Sequence, residues 1–315
     1  MTIAAVLVAY AACVGTLGSR VLGRARWTAR APLLGILTYL TAAWSVVAAV
    51  GLAGLTLAVH ATVLGGGLSH LIGACVLRLR ATYGTPGGAT VAGLGLILAG
   101  AVVARTVLTA LTHLRAAGRQ ALRHAQTARL AGHPDPALGA VLMEHSQPHA
   151  YCVAGRHPTV IVTTGAVQAL DPGQLDAVLA HERAHLASHH HRLLALARIG
   201  RLVLPFLPLM READSQVARL VEMHADDAAT GACDPRSLAT ALVTLATAAS
   251  PAPALAAAAT DSVQRIHRML GPAEPLGRAR RHLLRGTAAA LALAPVLLAL
   301  APALVALALG RVPVA

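Results

Sequence analysis

Charged and aromatic side chains are scarce in this sequence. Of its 315 residues only 12% are charged and 2% are aromatic, whereas 56% are hydrophobic. A water-soluble protein has about 25% charged residues, so the composition argues against an ordinary soluble enzyme and predicts that much of the chain lies in lipid. Because the apolar residues are mostly Ala, Leu and Val, we expect closely packed membrane helices.

Cysteine pairs and nucleic-acid recognition motifs are lacking as well. The four cysteines form no CxxC pair, which argues against a disulfide framework and a cysteine zinc site, and we expect them to be packing residues. The net charge of +13 would suit a phosphate-binding surface, but no recognition motif accompanies it. The arginines lie beside apolar segments instead. The sequence therefore predicts a lipid bilayer as a partner and no nucleic acid.

Four apolar stretches are long enough to cross a bilayer, which takes about 20 residues. They cover residues 3–22, 32–59, 89–111 and 286–309. A Gly-rich segment, residues 65–88, is a candidate for a further re-entrant or interfacial helix. We therefore divide the chain into a membrane region with three transmembrane helices (1–112), a polar domain (113–285), and a fourth transmembrane helix with a short tail (286–315).

The arginines near the ends of these stretches predict the orientation of the chain. They form three clusters, which are Arg20 to Arg30, Arg115 to Arg129 and Arg278 to Arg285. All three lie on one side, which the positive-inside rule assigns to the cytoplasm. The polar domain would then be cytoplasmic and both termini extracytoplasmic. The Ala- and Arg-rich composition suggests a GC-rich bacterial genome, so we expect a multi-pass protein of a bacterial cell membrane.

The polar domain is predicted to be mainly α, with one small β element. Residues 114–130 have helical spacing with a basic face, and residues 150–154 and 159–164 form a pair of strand-like runs rich in Val, Ile and Thr. Asp171, which precedes a proline, predicts the start of the next helix. The apolar residues 202–210 are too few to span a bilayer and predict a buried or interfacial segment.

That next helix contains the motif His181-Glu182-x-x-His185. Positions i and i+4 share one helix face, so both imidazoles can bind one zinc ion while Glu182 acts as the general base on a water molecule. With 16 histidines in the chain, chance gives this motif on the order of one time in a hundred. We therefore predict a catalytic zinc site.

Catalytic zinc usually has a third protein ligand, and two candidates are present. Glu222 and Asp226 stand four residues apart on one predicted helix face, where Glu222 could bind the metal and Asp226 could hold a zinc-bound histidine. His191 is the alternative third ligand, ten positions after the first histidine of the motif, as in the metzincins. That pattern needs a glycine where this sequence has Ser188, so Glu222 is favoured. Residues 189–191 are then expected to form a solvated or interfacial cluster.

These motifs resemble two groups of membrane zinc peptidases. The order of three spans, an HExxH block and a fourth span is similar to the beta-lactam-sensing receptors of the BlaR/MecR family. The sequences TVIVTTGAVQAL and VEMHADDAA also resemble the heat-shock and prenyl-protein endopeptidases of the HtpX and Ste types. The resemblance implies a gluzincin in which Glu222 is the third zinc ligand beside Asp226, and it extends to an arginine-bearing segment, RIHRML. The receptors continue into a penicillin-binding sensor, whereas this sequence ends at Ala315, so antibiotic sensing is not expected.

The expected function is that of a metalloendopeptidase with one Zn²⁺, which hydrolyses peptide bonds of a protein or peptide substrate in regulatory or signalling proteolysis. One alternative is a quality-control or prenyl-processing-type membrane endopeptidase. A second is a non-catalytic membrane receptor that retains the peptidase fold. We also expect the substrate to bind as an extra strand beside residues 159–164.

Overall fold

The computed structural model describes residues 2–58, 88–155, 158–249, 255–272 and 275–308. Its helices are α1 (Thr2–Gly23), α2 (Trp27–Arg30), α3 (Pro32–Ala58), α4 (Gly88–Ala131), α5 (Thr164–Ala169), α6 (Pro172–Ala187), α7 (His190–Val203), α8 (Pro208–Thr230), α9 (Pro235–Ala249), α10 (Leu255–Leu270) and α11 (Arg278–Ala308). Its strands are β1 (Gly132–Asp135), β2 (Ala140–Met143), β3 (Ala150–Val153) and β4 (Thr159–Thr163). The predicted fold class, mainly helical with a small β element, is confirmed.

Four of these helices are long and apolar enough to cross a membrane, as the sequence predicts. These candidate spans are Ile3–Gly23, Pro32–Ala58, Ala89–Ala128 and Arg278–Pro302, counted over the described residues. The predicted ends at Val59 and Leu309 lie outside those residues, and so does nearly all of the Gly-rich segment that begins at Gly65.

The third candidate span, predicted at 89–111, and the basic run with helical spacing at 114–130 lie on one continuous helix. Helix α4 runs without interruption over 44 residues. Good helix formers fill its second half, where no proline occurs, so nothing locally stops the helix at residue 112. The helix ends two residues before His133, which precedes a proline. Its basic half therefore extends directly from the span.

Helices α3 and α4 cross at two glycines. A Cβ atom on Gly54 would lie 2.7 Å from the backbone N of Ala99 and 2.7 Å from the backbone O of Gly95. A Cβ on Gly95 would lie 2.6 Å from the carbonyl oxygen of Gly54. Only residues without side chains allow this approach of two backbones, which is the usual way in which membrane helices pack closely.

The four strands form one sheet in the order β1-β2-β4-β3. β2 and β4 are parallel, while β1 pairs with β2 and β3 with β4 in the antiparallel sense. The predicted runs at 150–154 and 159–164 correspond to β3 and β4, except that Thr164 begins helix α5. β1 and β2 were not predicted. β4 has a partner on each side, whereas β3 is an edge strand among the described residues.

Helix α6 starts at the predicted cap. Asp171 Oδ1 accepts the backbone N–H of Gln174 at 2.8 Å, and the Gln174 side chain accepts the backbone N–H of Asp171 at 3.3 Å. Pro172 occupies the first turn. This reciprocal capping box, with a proline whose missing N–H costs nothing there, fixes where the helix that carries HExxH begins.

Helices α7 and α8 form a hairpin that packs against the candidate spans. At its apex, Leu207 contacts Gly15 of α1, and Arg105 of α4 donates from Nε to the carbonyl of Val203 and from Nη2 to the carbonyl of Leu202, both at 2.8 Å. The last carbonyls of α7 are thereby satisfied by a cation. Phe206 is 69% exposed at the same apex. The apolar segment 202–210 thus consists of the end of α7, the turn after it and the start of α8.

One hydrophobic core joins the hairpin to the spans. On the hairpin side its fully buried members are Leu209, Met210, Val217, Leu220, Val221 and Met223. On the span side the largest are Leu7, Ile36, Tyr39 and Val46. Leu220 approaches Gly35 so closely that a Cβ there would lie 2.9 Å from its Cδ1. Helix α8 therefore packs directly against α3.

Candidate metal centre

The two histidines of the motif point their Nε2 atoms towards the same space. They lie one turn apart on α6, and the Nε2 atoms of His181 and His185 are 3.1 Å apart. His181 is buried and His185 is partly buried. With both Nε2 atoms unprotonated, the two rings would direct their lone pairs at a common cation.

Glu222 of helix α8 completes the group. Its Oε2 is 3.6 Å from His181 Nε2, and its Oε1 is 3.6 Å from His185 Nε2. One ligand atom from each of the three residues lies within 4.8 Å of the others, and among the described residues they form the group that could hold a metal ion. Bonds of about 2.0–2.1 Å in a tetrahedral zinc site place neighbouring ligand atoms roughly 3.4 Å apart. The donor set and its spacing fit zinc.

Asp226, one turn after Glu222, faces the other nitrogen of the buried ligand. Its Oδ1 is 3.1 Å from His181 Nδ1, and its side chain is fully buried. Arg265 of α10 holds the same carboxylate in a fork, from Nε to Oδ2 and from Nη2 to Oδ1, both at 2.8 Å. Arg265 Nη1 also lies 3.1 Å from Glu222 Oε2.

The charges of this group shift the pKa values of its members. Burial lowers the pKa of His181, but the carboxylates of Asp226 and Glu222 outweigh burial and raise that pKa to about 9. Burial raises the pKa of Asp226, but Arg265 and His181 lower it to about 2. For His185 burial dominates and lowers the pKa to about 4. The pocket therefore favours a positive charge at His181, in the place where a cation would also be stabilised.

Glu182 lies between the histidine pair and the edge strand β3. Burial is the largest influence on its carboxyl and raises its pKa. The backbone N–H and the thiol of Cys152 lie close enough to that carboxylate to oppose this rise in its pKa. Burial, followed by the charge of Glu182, raises the pKa of the Cys152 thiol to about 12. Cys152, expected to be a packing residue, thus contacts the side chain predicted to be the general base.

The expectation of a solvated histidine cluster at 189–191 is wrong for its middle member. Helix α6 ends at Ala187 with Ser188 as its C-cap, His189 adopts the left-handed conformation with φ 50°, and α7 begins in a new direction. That turn directs His191 into solvent and buries His190, which is 1% exposed. The structure brings Glu222, and not the alternative ligand His191, to the two histidines of the motif.

Two further residues of the site were not singled out as site residues. His190 contacts His185 ring to ring, at 3.0 Å between their Nδ1 atoms. Arg265 lies 39 positions after the carboxylate that it holds. The family resemblance pointed to the segment of Arg265, but no local pattern predicts its partner. For His190 the sequence contains only three consecutive histidines, which do not reveal which one is buried.

The HExxH helix faces a glutamate from a second helix, and both helices belong to a structure that includes a bundle of apolar helices. This arrangement suits a membrane-associated peptidase. The family model of peptidase family M48 matches residues 115–273, which is half of the chain. The chain belongs to this family. The match begins inside α4 and includes α6, α8 and Arg265. Comparisons with curated proteins and with solved structures found no match.

Proposed function

We propose that this chain is a zinc-dependent membrane endopeptidase in which His181, His185 and Glu222 hold one Zn²⁺. The observation that carries the proposal is the convergence of two imidazole nitrogens and one carboxylate, all within 4.8 Å, from two different helices. Two histidines and a glutamate are a ligand set found in catalytic zinc sites, and membership of peptidase family M48 supports peptide bonds as the substrate.

When bound, zinc would supply Lewis-acid activation of water and of the scissile carbonyl. Glu182 takes the proton of the attacking water as the new C–O bond forms, and passes it to the amide nitrogen as the C–N bond breaks. Burial raises the pKa of Glu182, which makes it a better proton acceptor than an exposed glutamate. Asp226 orients His181 from its other ring nitrogen, while Arg265 holds Asp226 in place.

The substrate would bind along β3, not beside residues 159–164 as the sequence suggested. Both sides of β4 are already paired, so a peptide has no edge to join there. Along β3, Thr163 N donates to His149 O, and this register turns the N–H groups of Ala150 and Cys152 away from β4. Cys152 of β3 lies beside Glu182, so a strand added at this edge would pass beside the base.

Proline at Ala150 tests this binding mode, because it removes an outward N–H without breaking the ladder to β4. We expect Ala150→Pro to raise KM for a peptide substrate while zinc content stays at the wild-type level, and Ala150→Val, which keeps the N–H, to change KM little. An unchanged KM in the proline variant would refute the strand-addition model.

The orientation and the role are part of the same proposal. The cationic ends of the candidate spans argue for a cytoplasmic site with both termini outside. Because α8 packs directly on α3, the site lies near the candidate spans. We therefore favour as substrate a membrane-anchored protein that is cut near the membrane surface. The role that we favour is regulatory or signalling proteolysis, over quality control or prenyl processing. Reporter fusions at both termini would test the topology, and cytoplasmic termini would contradict it.

The deciding experiment compares the detergent-solubilised chain with its Glu182→Gln variant for bound zinc and for self-cleavage or casein cleavage. We expect the variant to keep its zinc and to lose about 10²- to 10⁴-fold in rate. Asp176→Asn, an exposed carboxylate on the same helix, is the matched control and should cleave normally. If the wild type binds zinc and cleaves neither itself nor casein nor membrane-protein substrates, the non-catalytic receptor becomes the better description.

A further inference from the structure

His190 is a buried polar side chain with no role in the chemistry described above. Its ring is 1% exposed, and both of its nitrogens have imidazole partners. His190 Nδ1 lies 3.0 Å from Nδ1 of His185, and His190 Nε2 lies 2.9 Å from Nδ1 of His224. Three imidazoles thus form a chain that begins at a proposed zinc ligand on α6 and ends on α8, two residues from Glu222.

Metal binding would fix the direction of both hydrogen bonds between the three imidazoles. The inference rests on the proposed function, in which His185 binds zinc through Nε2 and must therefore carry its proton on Nδ1. That N–H can donate only to a bare nitrogen, so His190 must be neutral with its proton on Nε2. His190 Nε2 then donates to Nδ1 of His224. One tautomer at the metal ligand thus sets the tautomers of both other rings.

The backbone at the helix junction is arranged to bring this ring inward. His189 is the non-glycine residue with positive φ among the described residues, a conformation that residues with a Cβ atom rarely adopt. Because α6 ends at Ala187, two residues before His189, and α7 starts at His190, this turn directs the His190 side chain back at His185. Without that ring, the second nitrogen of a partly buried ligand would have no protein partner in the described structure.

The two histidine ligands therefore have outer partners of different chemistry. His181 faces the carboxylate of Asp226, which stabilises positive charge on its ring. His185 faces a neutral imidazole, which can accept a hydrogen bond but adds no charge. We propose that His190 and His224 are positioning residues that hold His185 with Nε2 directed at the metal and that tie the HExxH helix to the helix of the third ligand.

The test uses His190→Leu, which removes the acceptor, and His190→Asn, whose amide oxygen can take the place of Nδ1 but cannot reach His224. Each full-length protein is prepared in detergent, and the Kd for zinc is measured by competition with a chelator. Loss of an outer partner of a ligand typically weakens metal binding about 10- to 100-fold, so this is the loss that we expect for His190→Leu. His190→Asn should recover most of the affinity, and His267→Leu, an exposed histidine on α10, should match the wild type.

A second readout separates positioning from general destabilisation. With Co²⁺ in place of zinc, His190→Leu should change the visible absorption bands of the metal, while His190→Asn and His267→Leu leave them near the wild-type spectrum. His224→Leu should give a smaller loss of affinity than His190→Leu, because it acts through one more ring. Wild-type affinity and spectrum in His190→Leu would overturn the inference and leave the proposed function intact. A wild-type chain that binds no zinc would contradict the proposed function itself.

Discussion

Zinc binding is expected to displace one proton from His181. Asp226 is the residue that contributes most to holding this proton in the metal-free protein. In the metal-free protein the carboxylates of Asp226 and Glu222 outweigh the effect of burial and raise the pKa of His181 to about 9. A zinc ligand must be unprotonated, so the proton that the carboxylates favour has to leave when the metal binds. Asp226→Asn removes the carboxylate closest to Nδ1 and should lower this pKa.

The size of the effect follows from the pKa. At pH 7.0 a group with a pKa of about 9 is about 99% protonated, so His181 contributes about one proton per zinc bound. His185, with its pKa lowered to about 4, contributes almost none at this pH. In the Asp226→Asn protein burial then opposes only Glu222, so we expect fewer protons to be released from His181 than in the wild type.

Isothermal titration calorimetry measures this number directly. Zinc is titrated into the metal-free protein at pH 7.0 in buffers of different ionisation enthalpy, and the slope of the observed enthalpy against that quantity gives the protons released. Protons from other sources cancel in the difference between wild type and variant. Asp227→Asn, an exposed carboxylate next in sequence and paired with Arg268, is the control and should give the wild-type slope. Equal slopes for wild type and Asp226→Asn would refute the reasoning.

Two other perturbations test the ligand set and the packing of the spans. Glu222→Gln should weaken zinc binding by more than about tenfold, while His191→Gln should leave the Kd for zinc unchanged. The reason is that Glu222, and not His191, lies beside the two histidines of the motif. The reverse pattern would restore His191 as the third ligand. Gly54→Ala should destabilise the protein in detergent by about 1–3 kcal/mol, and so lower its melting temperature, because its Cβ would meet backbone atoms at 2.7 Å. Gly93→Ala, on the same pair of helices with open space around it, should not lower it.

The features that the sequence predicts correctly are those encoded within a few neighbouring residues. An apolar run, the i and i+4 histidines of HExxH and the Asp171 cap each act through contacts along the same stretch of chain. β1 has no such signal, because Gly132–Asp135 contains a proline and no alternating pattern. It becomes a strand only because β2 offers it an edge. Tertiary pairing, and not local preference, determines that element.

The residues around the ligands were harder to predict for a related reason. Which of three consecutive histidines turns inward depends on a single left-handed residue at position 189, and nothing in the residue types marks that position. The fork between Arg265 and Asp226 joins α10 to α8 across 39 positions, so its charge complementarity appears only after both helices are placed. HExxH specifies two ligands locally, whereas the partners that orient them come from the fold.

The position of α8 links the metal centre to the membrane region. This one helix carries Glu222 and Asp226 on one face, while Leu220 and Met223 pack in the core that it shares with α3. Arg268 reinforces the junction, because it donates to the carbonyl of Ala29 between the first two candidate spans and to the carbonyl of Met223. The distance from Glu222 to the histidines of α6 therefore depends on how the spans hold α8. The proposed zinc site would tolerate deviations of only a few tenths of an ångström in ligand distance, so we expect the candidate spans to serve as part of its support.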